Sequence, residues 1–198
     1  MSAPRLLTVG HGTAAAEELA ALLAGAEVER LVDVRTAPGS RRHPQFRREA
    51  MQRWLPEAGV ADCWERELGG WRKPDPASVN QALRHPAFRG YADYMRTPPF
   101  WAALDRLLGM AAAVPTAAMC SEALWWRCHR RLLADAAVLV RGAEVLHLDH
   151  QGRLEPHRPT EGVRRDGDLL AYDVGRPRRC PAPERPPAEA ARAREPTG

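Results

Sequence analysis

The chain has 198 residues, 44% apolar and 27% charged, which suits one globular domain able to bury a core without disulfide or metal staples. It contains no run of about 18 apolar residues, which argues against a helical membrane span, and the apolar stretch after Arg5 is too short for a signal-peptide core. The net charge of +4 is mild, and residues 176–198 hold six arginines against three glutamates, so charge alone does not define a nucleic-acid binder. Lys73 is the only lysine, a compositional bias that weakens any argument from arginine abundance. Cys63, Cys120, Cys128 and Cys180 are unevenly spaced, which disfavours a disulfide framework; the chain is expected to be cytoplasmic.

Arg5-Leu6-Leu7-Thr8-Val9 reads as a buried strand stopped by Gly10-His11-Gly12. Thr13 suits the N-cap of a helix over 14–23, with Glu17 and Glu18 in its first turns. Residues 30–34 form the next strand, completing a βαβ unit with parallel strands. A polar loop over 35–44 leads to a helix over 45–55 and a short strand within 59–64. The Pro-interrupted stretch 73–99 holds short helices, including 85–95, and 100–108 is a further helix. Residues 115–119 form a strand with Cys120 at its carboxyl end, 122–137 a long helix, and 144–148 the last strand. Apolar density falls after Gly152, and 176–198, with six prolines, reads as a disordered tail behind a single domain over 1–175.

This alternation predicts an α/β fold, a three-layer sandwich around a mostly parallel central sheet. Ligands bind outside the carboxyl ends of parallel strands in such folds. His11, Arg35 and Cys120-Ser121-Glu122 each follow a strand, so the three segments are expected on one edge of the sheet.

The chain resembles the domain of unknown function 488 family. The resemblance rests on Thr8-Val9-Gly10-His11, Asp33-Val34-Arg35, Ser40-Arg41 with Pro44-Gln45-Phe46, and Leu68-Gly69-Gly70 with Arg72. It continues through Tyr91 with Tyr94-Met95 to Met119-Cys120-Ser121-Glu122 with Cys128-His129-Arg130. It spans roughly residues 6–147 as an ordered set and implies a compact α/β domain without an established reaction.

Cys120 is the first candidate catalytic residue. At a strand end and helix start, free N–H groups and the helix dipole favour thiolate, which suits a nucleophile or a metal ligand; a small packed residue is the plainer reading. Glu122, expected in the first helical turn, is either a capping carboxylate or a general acid/base. His129 lies seven residues on, on the same expected helix face about 10 Å along the axis, where it can shuttle a proton if the fold brings it close. Cys128 and Arg130 flank it.

Arg35, Arg41, Arg42, Arg72 and Arg130, with Ser40, form an expected anion-holding set, for which pairing with Asp33, Glu67 and Glu122 is the competing role. His11 and Asp33 stand at the same edge, and Tyr94 offers a stacking face. No metal or other cofactor is expected, because neither Cys-x-x-Cys nor His-x-x-x-His occurs; zinc on Cys120, Cys128, His129 and His11 is the minor alternative. The leading reading is an enzyme, hydrolase or transferase, acting on an anionic, nucleotide-like or nucleic-acid-derived substrate, with Cys120 more reactive than Cys63 and Arg35 dispensable for stability. A non-catalytic nucleic-acid or nucleotide binder and a cysteine redox sensor are the alternatives. No membrane partner is expected.

Overall fold

The computed structural model describes residues 3–173. The expected tail at 176–198 and Cys180 lie outside the described residues. The first strand, β1 (Arg5–Gly10), leads to α1 (Ala16–Gly25), β2 (Arg30–Asp33), α2 (Arg48–Glu57) and β3 (Ala61–Trp64). Helices α3 (Pro86–Tyr94) and α4 (Pro98–Ala113) precede β4 (Thr116–Cys120), α5 (Arg130–Leu139) and β5 (Glu144–Leu148). Three short strands follow: β6 (Leu154–Pro156), β7 (Val163–Asp166) and β8 (Leu169–Tyr172).

The six-stranded sheet has the order β3-β2-β4-β1-β5-β6, with only β6 antiparallel to its neighbour. Side chains alternate between its faces, and the core divides accordingly. Leu6, Val32, Ala118 and Val145 pack with α4 and α5, through Phe100, Leu104, Leu132 and Leu133. Their chain neighbours Leu7, Leu31, Ala117 and Leu146 pack on the other face with Leu19 and Leu23 of α1 and Met51 and Leu55 of α2. The result is the α/β sandwich that the alternation predicts: helices, mostly parallel sheet, helices. No described helix is long and apolar enough to cross a membrane.

Four local expectations are corrected. Helix α1 starts two residues late, with Ala15 rather than Thr13 at its N-cap, where the Glu18 carboxylate accepts from the Ala15 N–H at 2.7 Å. A 3-10 turn over Pro44–Phe46 precedes α2, so the expected helix at 45–55 is split and moved. Residues beyond Gly152 form three strands that low apolar density concealed.

The fourth correction bears on the site. The expected helix over 122–137 is a loop through Cys128, with one 3-10 turn at Trp125–Arg127, followed by α5. Two interactions compete with helix here. The Arg130 guanidinium takes the carbonyls of Glu122 and Ala123, and the Trp125 ring stacks on His147 at 4.0 Å between centroids.

Candidate active site

The carboxyl ends of β2, β4 and β1 lie side by side. Register pairs Gly10 with Cys120 and Asp33 with Met119. Beyond the strands the tie continues: His11 N–H donates to the Cys120 carbonyl at 3.0 Å, and Gly12 N–H to that of Ser121 at 3.0 Å. The segments expected to meet at this edge therefore do. They border a cleft of about 670 Å³, lined among others by His11, Arg35, Ser40, Trp71, Cys120, Glu122, Trp126, Arg127, Cys128 and His129.

Two sulfurs and an imidazole sit at the base of the cleft. His129 Nδ1 lies 3.6 Å from Cys128 Sγ and 3.8 Å from Cys120 Sγ, and these three donor atoms all fall within 4.8 Å of one another. Gly70 packs against the His129 ring so closely that a β-carbon there would sit 2.5 Å from Nδ1. The Tyr91 ring meets the imidazole edge to face with centroids 5.0 Å apart, and its hydroxyl donates to the Leu68 carbonyl at 3.0 Å. The loop over 68–70 thus sets the imidazole's orientation.

The thiols are unlike each other. Hydrogen bonding to Cys128, followed by burial, pushes the Cys120 thiol up to about 12. Burial also pushes the Cys128 thiol up. The hydrogen bond from Cys120 and the charge, N–H and side chain of Arg130 outweigh it and bring Cys128 down to about 6. The two thiols are thus moved in opposite directions, Cys120 up and Cys128 down. The helix N-terminus expected to activate Cys120 is absent, because α5 begins only at Arg130.

Arg130 is 1% exposed and does not line the cleft. Its Nε donates to Cys128 Sγ at 3.4 Å, and its Nη2 groups hold the carbonyls of Glu122 and Ala123. It stands beneath the sulfur centre as a buried charge. Gly10 makes room for it: a β-carbon there would collide with the Glu122 carbonyl and crowd the guanidinium.

Arg35 is also buried and bound. Nε and Nη2 donate to the two Asp33 oxygens at 2.8 and 2.6 Å, and Nη2 also reaches the Phe46 carbonyl at 2.7 Å. Only Nη1 points onward, to His11 Nε2 at 3.2 Å. The His11 Nδ1–H donates to the Gly12 carbonyl at 3.0 Å, while its ring stacks on Phe46 at 4.2 Å. Burial, then the Arg35 charge, lowers His11 to about 4, so it is neutral at ordinary pH. Asp33, Arg35 and His11 form a closed set rather than an open anion clamp.

Other expected residues fall differently. Ser40 lines the cleft while its Oγ accepts the His43 N–H at 3.0 Å. Arg41 is exposed and is not in the lining. Arg72 lies over the Tyr94 ring at 3.6 Å and holds the Gly69 carbonyl at 3.1 Å, and the Tyr94 hydroxyl donates to Glu67 at 2.9 Å. Both brace the 67–72 loop from outside the cleft. Glu122 is on the rim, where its Oε1 accepts the Leu124 N–H at 3.3 Å. His11 does not join the sulfur centre.

Sequence reasoning undervalued three lining residues: Trp71, 80% exposed, Trp126, 46% exposed, and Arg127, exposed and without an ion pair to any described residue. Packing is the default role of a tryptophan, so nothing in their spacing marks them. The Gly69-Gly70 pair ahead of Trp71 was the available signal that backbone approaches something closely here.

No curated protein and no solved structure matches the chain. One family does, over residues 15–137, a span that holds most of the residues lining this cleft. The chain belongs to that family, described as "Domain of unknown function DUF488".

Proposed function

We propose that the cleft is the active site of an enzyme, hydrolase or transferase in type, that attacks an anionic, base-bearing substrate through the Cys128 sulfur. The observation that carries this reading is Cys128 itself, which lines the cleft with Arg130 charge beneath it and His129 beside it. The roles expected of Cys120 pass in part to Cys128. Cys120 supplies the hydrogen bond that keeps its neighbour deprotonated, and His129 carries protons to and from the sulfur. Glu122 at the rim acts as acid or base toward the leaving group or incoming nucleophile.

In the covalent step Sγ bonds to the electrophilic atom, the bond to the leaving group breaks, and its electron pair departs with that group, which is protonated. Water or a second substrate then releases the enzyme by displacing sulfur. Trp71 and Trp126 offer flat faces at the mouth, and Arg127 a free guanidinium, which suits a base with a phosphate attached. A reduced thiol pair fits the cytoplasm, where the protein is expected.

The experiment is a turnover screen over nucleotides and short single-stranded oligonucleotides. Cys128→Ser is expected to abolish turnover of the active substrate while Trp71→Ala weakens its binding; full turnover by Cys128→Ser removes the reading. The exposed indoles and Arg127 also suit a non-catalytic nucleotide or nucleic-acid binder, whose affinity falls linearly in log salt and ignores Cys128→Ser. The adjacency of the sulfurs suits a redox sensor, for which mild peroxide would produce a Cys120–Cys128 disulfide.

A further inference from the structure

Three metal-ligating groups from two separate segments converge on one point. Cys120 ends β4, whereas Cys128 and His129 close the loop that precedes α5. For tetrahedral zinc, with Zn–S of about 2.3 Å and Zn–N of about 2.0–2.1 Å, sulfur and nitrogen stand roughly 3.5 Å apart. The observed separations from Nδ1 are 3.6 and 3.8 Å. The imidazole presents Nδ1 to both sulfurs, and Gly70 and Tyr91 fix that orientation by contact. His129 Nε2 is buried and has no hydrogen-bond partner among the described residues, so no hydrogen bond on that nitrogen dictates how the ring is turned.

We propose that Cys120, Cys128 and His129 form a zinc site whose occupation masks the Cys128 sulfur. Thiolate and imidazole donors select zinc or copper(I) over magnesium and calcium. All three residues line the cleft, so the fourth coordination position opens to it. Zinc bonds to both sulfurs and Nδ1, any thiol proton passes to solvent, and the lone pair that would attack substrate is engaged by metal. The metal-loaded chain is the protected form and the metal-free chain the reactive one. The masking part rests on the nucleophile reading above; the metal site rests on geometry alone.

The test uses the full chain, reduced and freed of metal with a chelator. Titration with Co²⁺ is expected to give a sulfur-to-cobalt charge-transfer band that saturates at about one metal per chain and vanishes when Zn²⁺ is added. Cys120→Ser and Cys128→Ser lose the band, His129→Ala weakens it, and Cys63→Ser keeps it, with circular dichroism showing each variant folded. Zn²⁺ is expected to slow iodoacetamide labelling of Cys128, read by peptide mass spectrometry, by roughly an order of magnitude or more. A missing band, or one that survives both serine variants, overturns the site, and labelling unchanged by Zn²⁺ overturns the masking. Should the metal-free Cys128 label no faster than Cys63, the nucleophile reading falls, while the cobalt band still judges the metal site.

Discussion

The Arg130 guanidinium donates to the Cys128 sulfur across 3.4 Å from inside the protein, not from the cleft. An arginine expected to hold an anion instead donates to the sulfur of Cys128, which lines the cleft. Because Arg130 lies beside Cys128, the two thiols at the base of the cleft are electrostatically unequal.

Thiol labelling follows that inequality. In metal-free protein at pH 7, Cys128, brought to about 6, is expected to react with iodoacetamide faster than Cys63, and Cys120, pushed up to about 12, slowest. Cys63 is raised by burial and then by Glu65 and Asp62. Peptide mass spectrometry over a time course gives the order; Cys120 labelling first would reverse the assignment.

Gly70 meets the His129 ring with no space to spare. Gly70→Ala places a β-carbon 2.5 Å from Nδ1, so the imidazole must swing away from the sulfurs. The expected cost is about 1–3 kcal/mol of stability, together with slower Cys128 labelling and a weaker cobalt band. Wild-type labelling by a folded Gly70→Ala protein would show that imidazole placement does not matter to the thiol.

Asp33 and Arg35 are a buried pair, 0% and 7% exposed in their side chains. Removing one partner strands the other charge, so Asp33→Asn and Arg35→Ala are each expected to cost about 3–5 kcal/mol. The exposed Arg41→Ala is expected to stay within about 0.5 kcal/mol of wild type. Chemical denaturation measures all three. An Arg35→Ala protein as stable as wild type would return Arg35 to the role of a free anion holder.

Acid should destabilise the fold through two buried histidines. Burial and then Arg35 lower His11 to about 4, and burial and then His157 lower His147 to about 3, against 6.5 in the unfolded chain. Between these values the unfolded state holds more protons, so stability rises with pH, is complete above about 6.5 and erodes as pH falls. From pH 7 to 5 each histidine is expected to remove about 2 kcal/mol. A His147→Gln variant should show a shallower melting-temperature slope over that range, whatever its absolute stability; an unchanged slope would mean that His147 is not held neutral.

The strands of the sheet and their convergence were legible because β1, β2, β4 and β5 are dense apolar runs stopped by glycine or polar residues. The region from Ser121 to His129 was not legible. Glu122 to Ala137 carries helical periodicity, and what breaks it lies far away in sequence: His147 under Trp125, and Arg130 turned back on the loop's carbonyls. The reading of the two thiols depended on that loop, since strand-end position pointed to Cys120 while the buried Arg130 lies beside Cys128. Arg35 stands at the expected edge, but Asp33 two residues earlier takes its Nε and an Nη2 donor. Hairpin β7–β8 escaped notice because Tyr172 is fastened by polar contacts, its hydroxyl to Asp135 at 2.9 Å and its N–H to Asn80 at 3.1 Å.

β1 stands between β4 and β5, yet it lies wholly before residue 15, where the family match begins, and β5 lies after residue 137, where it stops. A fragment trimmed to those borders would lack a middle strand, and β4 would expose an unpaired, apolar ladder to other copies of itself. Expression designs for this chain should therefore be cut by strand order rather than by the borders of the matched span.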